Sequence, residues 1–179
     1  MNHPVIALAG TRIDEPNPRE IRFAPENVAL VRRRLRQLFK EYQAKALVCS
    51  AACGADLLAL DVAEELGIQT RIVLPFDPGT FRETSVTDRP GNWGELFDRL
   101  YKASEKRGEV VIVQSQADPH QAYVLTNERI LSEAESLGRD RVLVVTVWDG
   151  ASRGSEDMTA KFASAARTRG FAVIEVLTK

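Results

Sequence analysis

Residues suited to metal ligation and thiol chemistry are scarce in this sequence, with two cysteines and two histidines among 179 residues. Cys49 and Cys53 stand close together, but no second cysteine pair accompanies them, so a zinc site is not expected. Both read instead as buried structural thiols. Neither His3 nor His120 has a setting that suggests a catalytic base, and without a G-x-S-x-G elbow serine-nucleophile chemistry has no support. Charge of one sign is also missing. Lysine and arginine number 24 against 25 acidic residues, a net charge of −1, so no global basic field argues for nucleic acid as a partner. No apolar run approaches membrane-spanning length, and MNHPVIALAG lacks the basic-then-apolar order of a signal peptide, which points to a cytoplasmic protein with no membrane partner. Neither the dinucleotide fingerprint G-x-G-x-x-G nor a P-loop is present, and no cofactor is expected.

What the chain has is a regular alternation. A composition 44% hydrophobic and 27% charged fits one globular domain over residues 1–179 with a sizeable core. Continuous apolar runs predict strands at Val5–Ala9, Ala46–Cys49, Thr70–Leu74, Val110–Val113, Arg141–Trp148 and Phe171–Leu177. Helical periodicity falls between them, over Glu26–Gln43, Ala55–Leu66, Trp93–Arg107, Gln121–Leu137 and Glu156–Arg169. Polar stretches follow at Ile13–Pro25, Phe76–Asn92 and Gln114–His120. Strand–helix alternation of this kind predicts an α/β, three-layer Rossmann-like domain with a mainly parallel sheet of about six strands.

The centre of the pattern is Lys45–Gly67, KALVCSAACGADLLALDVAEELG. A short strand, the small residues Ser50, Ala51, Ala52 and Gly54, and then a helix would leave backbone N–H groups open at a helix N-terminus, where an anion is attracted. The alternative is a small-residue turn chosen for close strand–helix packing. Asp56, in the first helical turn, complements the helix dipole or faces a ligand hydroxyl. At the end of the first strand, Gly10, Thr11 and Arg12 offer a turn, a hydroxyl and a guanidinium at the carboxyl edge of the sheet, where ligands bind in open α/β folds. The long stretch Phe76–Asn92 reads as a binding loop or lid, with Arg82 and Ser85 as ligand-capable groups and Phe76 and Phe81 as anchors or stacking surfaces. Tyr123, Asn127, Glu128 and Arg129 are polar groups near the start of a later helix. Asp149, Gly150, Gly154 and Thr159 belong to a second glycine/serine-rich turn that repeats the logic of the first. The cluster Arg32, Arg33, Arg34 and Arg36 reads as the solvated face of a surface helix rather than a nucleic-acid patch.

Taken together these motifs resemble the SLOG superfamily, the Rossmann-like domains related to the DNA-processing protein DprA and the LOG phosphoribohydrolases, and most nearly its YspA-like, signalling-associated branch. The resemblance rests on Gly10-Thr11-Arg12, on Ser50 through Asp56, on Leu74-Pro75-Phe76, on Thr126-Asn127-Glu128-Arg129, and on Trp148-Asp149-Gly150 through Gly154 and Thr159. It implies a nucleotide-like ligand at the carboxyl edge of the sheet and, by analogy with LOG relatives, a homodimer. The last motif departs from the LOG pattern, reading WDGASRGSEDMTAKF without Pro-Gly-Gly. By position, Asp157 stands nearest to the LOG catalytic Glu, and Arg129 to its Arg.

Three functions follow as alternatives. The first is a sensor or binding module for a nucleotide or nucleotide-derived messenger, with Asp56 taking a ribose hydroxyl and Arg12 and Arg82 adding charge. The second is hydrolysis of the N-glycosidic bond of a nucleoside phosphate, with Asp56, Glu128 or Asp157 as the carboxylate. The third, DprA-like binding of single-stranded DNA, lacks an aromatic–basic stripe.

Overall fold

The computed structural model describes residues 3–113 and 118–179. The apolar runs form six strands: β1 Val5–Gly10, β2 Ala46–Cys49, β3 Gln69–Leu74, β4 Val110–Ile112, β5 Val142–Trp148 and β6 Ala172–Leu177. All pair in parallel, in the order β4-β3-β2-β1-β5-β6. The chain therefore builds outward from β1 through β4 and then crosses back to lay β5 on the other side of β1. β1 and β5 pair from Val5 opposite Val142 to Gly10 opposite Val147, and β5 pairs over an equal length with β6. This reversal is the topological switch point of the sheet, and a crevice opens there between loops that leave in opposite directions.

Helices cover both faces, which is why the inner strands are apolar without alternation. On one face α1 (Val28–Glu41), α2 (Ala55–Glu65) and α4 (Trp93–Lys106) pack on Ile6, Leu8, Leu47, Ile72 and Leu74. On the other, α5 (Pro119–Gly138) and α6 (Met158–Thr168) pack on Val5, Ala7, Val48, Val73 and Val144. Both cysteines are free thiols in the first core. Helix α2 is flanked by α1 and α4, and its acidic edge is shared between them: Asp61 takes Arg32 of α1 and Arg99 of α4, while Glu65 takes Arg32 and Arg36. Arg34 donates to the carbonyls of Leu177 and Lys179. Much of the arginine cluster on α1 is thus engaged inside the molecule. No helix among the described residues is long and apolar enough to cross a membrane.

The stretch Phe76–Asn92, expected to be irregular, contains a helix, α3, at Pro78–Ser85. Its start is built by Asp77, whose side chain accepts from the Thr80 N–H at 2.9 Å, and by Pro78, which has no N–H to satisfy. Phe81 and Ser85, one turn apart, are its buried residues. The same device opens α5: Asp118 accepts from the Gln121 N–H at 3.1 Å, with Pro119 first in the helix. Of the polar connection before it, residues 114–117 lie outside the described residues.

The turn between β2 and α2 is held by the loop after β1. Thr11 donates its N–H to Val147 of β5 and accepts from Ala55 N–H, and Ile13 N–H bonds to Cys53. Gly54, at φ +99°, lies directly under this loop: a Cβ there would sit 2.6 Å from Ile13 N and 3.0 Å from Thr11 O. Gly67 also has a positive φ of +68°, but open space around it. Gly54→Ala combines backbone strain with a steric clash and should cost about 3 kcal/mol, against about 1 kcal/mol for Gly67→Ala. Urea unfolding of the two variants measures the difference; equal losses would mean that the loop does not press on Gly54.

Candidate functional site

The carboxyl ends of β1 and β2 form the floor of a cavity of about 440 Å³. Leu8 to Arg12 contribute the edge of β1, and Ser50, Ala52 and Asp56 the β2–α2 turn. Phe81 and Ser85 come from α3, Tyr123, Thr126, Asn127 and Ile130 from α5, and Glu156 to Thr159 from the start of α6. Of the residues singled out in the sequence, Gly10, Thr11, Arg12, Ser50, Asp56, Ser85, Asn127, Asp157 and Thr159 line this one space.

Asp56 has the least compensated charge in it. The residue is only 6% exposed. Its Oδ2 accepts from Ala52 N–H at 3.2 Å, while Oδ1 is buried without a partner among the described residues. Burial pushes the carboxyl up to about 7, and the Ala52 N–H and the Arg12 charge offset only part of this. The hydroxyl oxygen of Thr11, another lining residue, is likewise buried with no partner among the described residues. The two groups share the cavity and have hydrogen-bonding capacity to spare.

The open amides expected at the α2 N-terminus are largely occupied. Ala55 N–H goes to Thr11 O, Leu57 N–H to Ala52 O and Cys53 N–H to Ser85 O. Gly54 and Ala51 do not line the cavity; Gly54 serves the close approach of the β1 loop and Ala51 is part of the core. The second glycine-rich turn is exposed at its glycines and serines, and the buried acids that flank it are engaged within the protein. Asp157 caps α6: its Oδ1 accepts from Thr159 N–H and Ala160 N–H, and its Oδ2 from Arg153 N–H and Arg22 Nη2, all at 3.0–3.1 Å. Those donors fill the carboxylate, so the expected catalytic role gives way to a structural one. Asp149 is fully covered and held by Arg153, with Lys179 at 3.2 Å. Burial alone would raise its carboxyl, but these donors bring it below the usual value. Gly150 and Gly154 shape this loop, which does not open into the cavity.

Other expected residues point elsewhere. Arg82 makes a two-pronged pair with Asp98 at 2.8 and 2.9 Å on the outer surface. Glu128 pairs with Arg169, which caps the end of α6, and Arg129 with Glu133 one turn along α5. Phe76 packs against Phe81 and Tyr123, with ring centroids about 6 Å apart, and so stands behind the wall rather than in it. The Ser85 and Tyr123 hydroxyls bond to each other at 2.8 Å.

Sequence reasoning missed Asp14, Arg22 and Arg89, which also line the cavity. Asp14 accepts from the N–H groups of Arg22 and Phe23, both at 3.0 Å, folding the β1–α1 connection back on itself. Nothing local marks these loop residues, because their neighbours come from chain segments far away. Among the described residues no group of three or more His, Cys, Asp or Glu is arranged to hold a metal.

No family model matches the chain, and no curated protein does. Among solved structures it is similar to DNA processing protein A (DprA) from Streptococcus pneumoniae, at 15% identity and a TM-score of 0.38. The match covers 96% of this chain, which spans 58% of that one. The Rossmann-like class itself is set by the strand order and register.

The state of Asp56 makes stability depend on pH. Its folded value of about 7 lies above the ordinary 3.8, so the folded protein holds a proton that the unfolded chain releases. This contribution is present below pH 4 and is lost as pH rises through 7. Between pH 5 and pH 8 the loss is roughly 2–3 kcal/mol. Asp56→Asn removes the ionisation and should flatten that part of the profile, so that the variant gains on the parent as pH rises. Parallel denaturation profiles at pH 5 and pH 8 would show that Asp56 ionises normally.

Proposed function

We propose that the cavity binds a nucleoside or a nucleotide-derived small molecule, in the manner implied by the SLOG resemblance, and acts as a sensing or binding module. The observation that carries the reading is the pair of unpartnered buried groups at the carboxyl edge of the sheet, Asp56 Oδ1 and Thr11 Oγ1. A carboxylate oxygen seeks a donor, and a threonine hydroxyl can give or take one. The neighbouring hydroxyls of a ribose match that need, since each can donate to Asp56 and accept from Thr11. Phe81, Tyr123 and Ile130 add apolar and aromatic wall suited to a flat base, and the cavity volume of about 440 Å³ suits a ligand of this size. Small residues at Ser50 and Ala52 allow close approach to the floor, while the bare Gly10 lets β1 pack against Ala55 and Val147.

A second reading is favoured by Asp56 itself. A carboxyl near neutrality, here about 7, can both give and take a proton at working pH. In that reading the protein hydrolyses the N-glycosidic bond of the bound nucleoside phosphate. Water adds to the sugar carbon as the C–N bond to the base breaks, Asp56 takes the proton from the water, and that proton passes to the base nitrogen that leaves with the bonding pair. Asp56 replaces Asp157 as the candidate, because Asp157 has no free oxygen. Membership of the YspA-like branch and assembly as a homodimer belong to the same proposal and rest on resemblance.

Titration calorimetry with adenosine, 2′-deoxyadenosine and AMP tests the first reading, and chromatography of the mixtures for free base tests the second. Loss of the 2′-hydroxyl should weaken binding about tenfold or more, the effect of removing a hydrogen bond to a charged group. Asp56→Asn and Thr11→Val should each lower affinity for the ribosides while the proteins stay folded. Binding of all three compounds that is unaltered by Asp56→Asn would end the assignment.

A further inference from the structure

The rim of the cavity holds two guanidinium groups whose hydrogen-bonding capacity is poorly used. Arg12 lines the cavity, and its Nε is buried with no partner among the described residues. Its Nη2 pairs with Asp88, in the loop between α3 and α4. Arg89, the next residue of that loop, also lines the cavity. Its contacts are all long: 3.5 Å from Nη1 to Ile13 O, 4.0 Å to Glu15, and 3.8 Å from Nε to Asp88 Oδ2. At such distances a guanidinium forms weak hydrogen bonds or none. One carboxylate, Asp88, thus turns one oxygen to Arg12 and the other toward Arg89.

That is the arrangement in which two arginines clamp an oxyanion, and the acid now in it is loosely held. The Asp88 side chain is 34% exposed, and an ion pair so open to water is worth about 1 kcal/mol or less. The loop backbone is fixed at both ends, by Val86 N–H and Thr87 N–H on Arg82 O and by Trp93 Nε1 on Pro90 O at 2.9 Å. Asp88 can therefore leave by rotating its side chain alone. A phosphate monoester carries more charge than a carboxylate and more acceptor oxygens, so it satisfies both guanidiniums better. The charge of Arg12 also acts on Asp56, which puts the clamp beside the acceptor assigned to the sugar.

We propose that Arg12 and Arg89 form an anion-binding subsite for the phosphate of the ligand, and that Asp88 occupies it in the empty protein as an internal competitor. This deepens the nucleotide reading and rests on it for the identity of the ligand. It also moves the phosphate away from the two glycine-rich turns, whose amides are largely spent within the protein, and replaces Arg82 with Arg89 as the second cation.

The test compares inorganic pyrophosphate, AMP and adenosine by calorimetry on the parent, Asp88→Asn and Arg89→Gln, with Asp88→Ala as a second variant at the exposed position. Removing the competitor should tighten pyrophosphate and AMP at least threefold and leave adenosine within twofold. Arg89→Gln should weaken AMP about tenfold, toward adenosine. If Asp88→Asn tightens pyrophosphate while neither adenosine nor AMP binds in an Asp56-dependent way, the clamp stands and the nucleotide reading falls. If AMP binding depends on Asp56 but is the same in the parent and Asp88→Asn, the clamp falls and the nucleotide reading stands. Failure of pyrophosphate and AMP to bind any of these proteins overturns the subsite.

Discussion

The loop that leaves β1 presses on the turn that leaves β2, and much of the site depends on this contact. Thr11 joins β5 to α2 through its own backbone, Ile13 closes on Cys53, and Gly54 lies beneath them with no room for a side chain. Three parts of the chain meet there: the central strand, its partner across the switch point and the most buried helix. The contact uses the Ala55 amide, which would otherwise be open at the α2 N-terminus. It also seals the first turn of α2, so Asp56 loses water without gaining a full set of partners. The small residues of this turn serve packing first, and their consequence for chemistry is an acid held in a dry place.

Four acids around the crevice show how environment separates structural carboxylates from one that is free to act. Asp14 accepts from two backbone N–H groups. Asp157 is filled by helix amides, a loop amide and Arg22, and Asp149 is neutralised by Arg153 and Lys179. A buried carboxylate with every lone pair engaged is stable as an anion and has no capacity left for a substrate. Asp14 is engaged through Oδ2 alone, whereas Asp56 differs because an oxygen without a donor among the described residues is also buried from water. A buried polar group in that condition is costly, and such costs gather at sites of function.

The fold was legible because its signals are local and strong. Unalternating apolar runs such as RVLVVTVW and VIALA announce strands covered on both faces, and helical periodicity separates them. Helix α3 escaped because Phe76–Asn92 mixes proline, glycine and charge, although Asp77-Pro78 carries a recognisable helix start. The site was half legible. Gly10, Thr11, Arg12, Ser50 and Asp56 follow directly from strands, and strand ends in a parallel sheet share one edge. Arg82 lies on α3 and Arg89 in the loop that follows it, and only the tertiary packing sends the first to Asp98 of α4 and the second to the crevice. Asp157 was drawn toward catalysis by its place in a family motif, whereas Asp-x-Thr at a helix start is also the signature of a cap.

The account depends most directly on the ionisation of one side chain. Carbon-13 NMR of the aspartate carboxyl groups, followed through a pH titration of the parent and of Asp56→Asn, measures it without any assumption about the ligand. One aspartate should titrate near the value of about 7 given by its burial, and its signal should vanish in the variant. A parent protein in which every aspartate titrates in the ordinary range would mean that Asp56 is solvated or paired, and the site as described here would not exist.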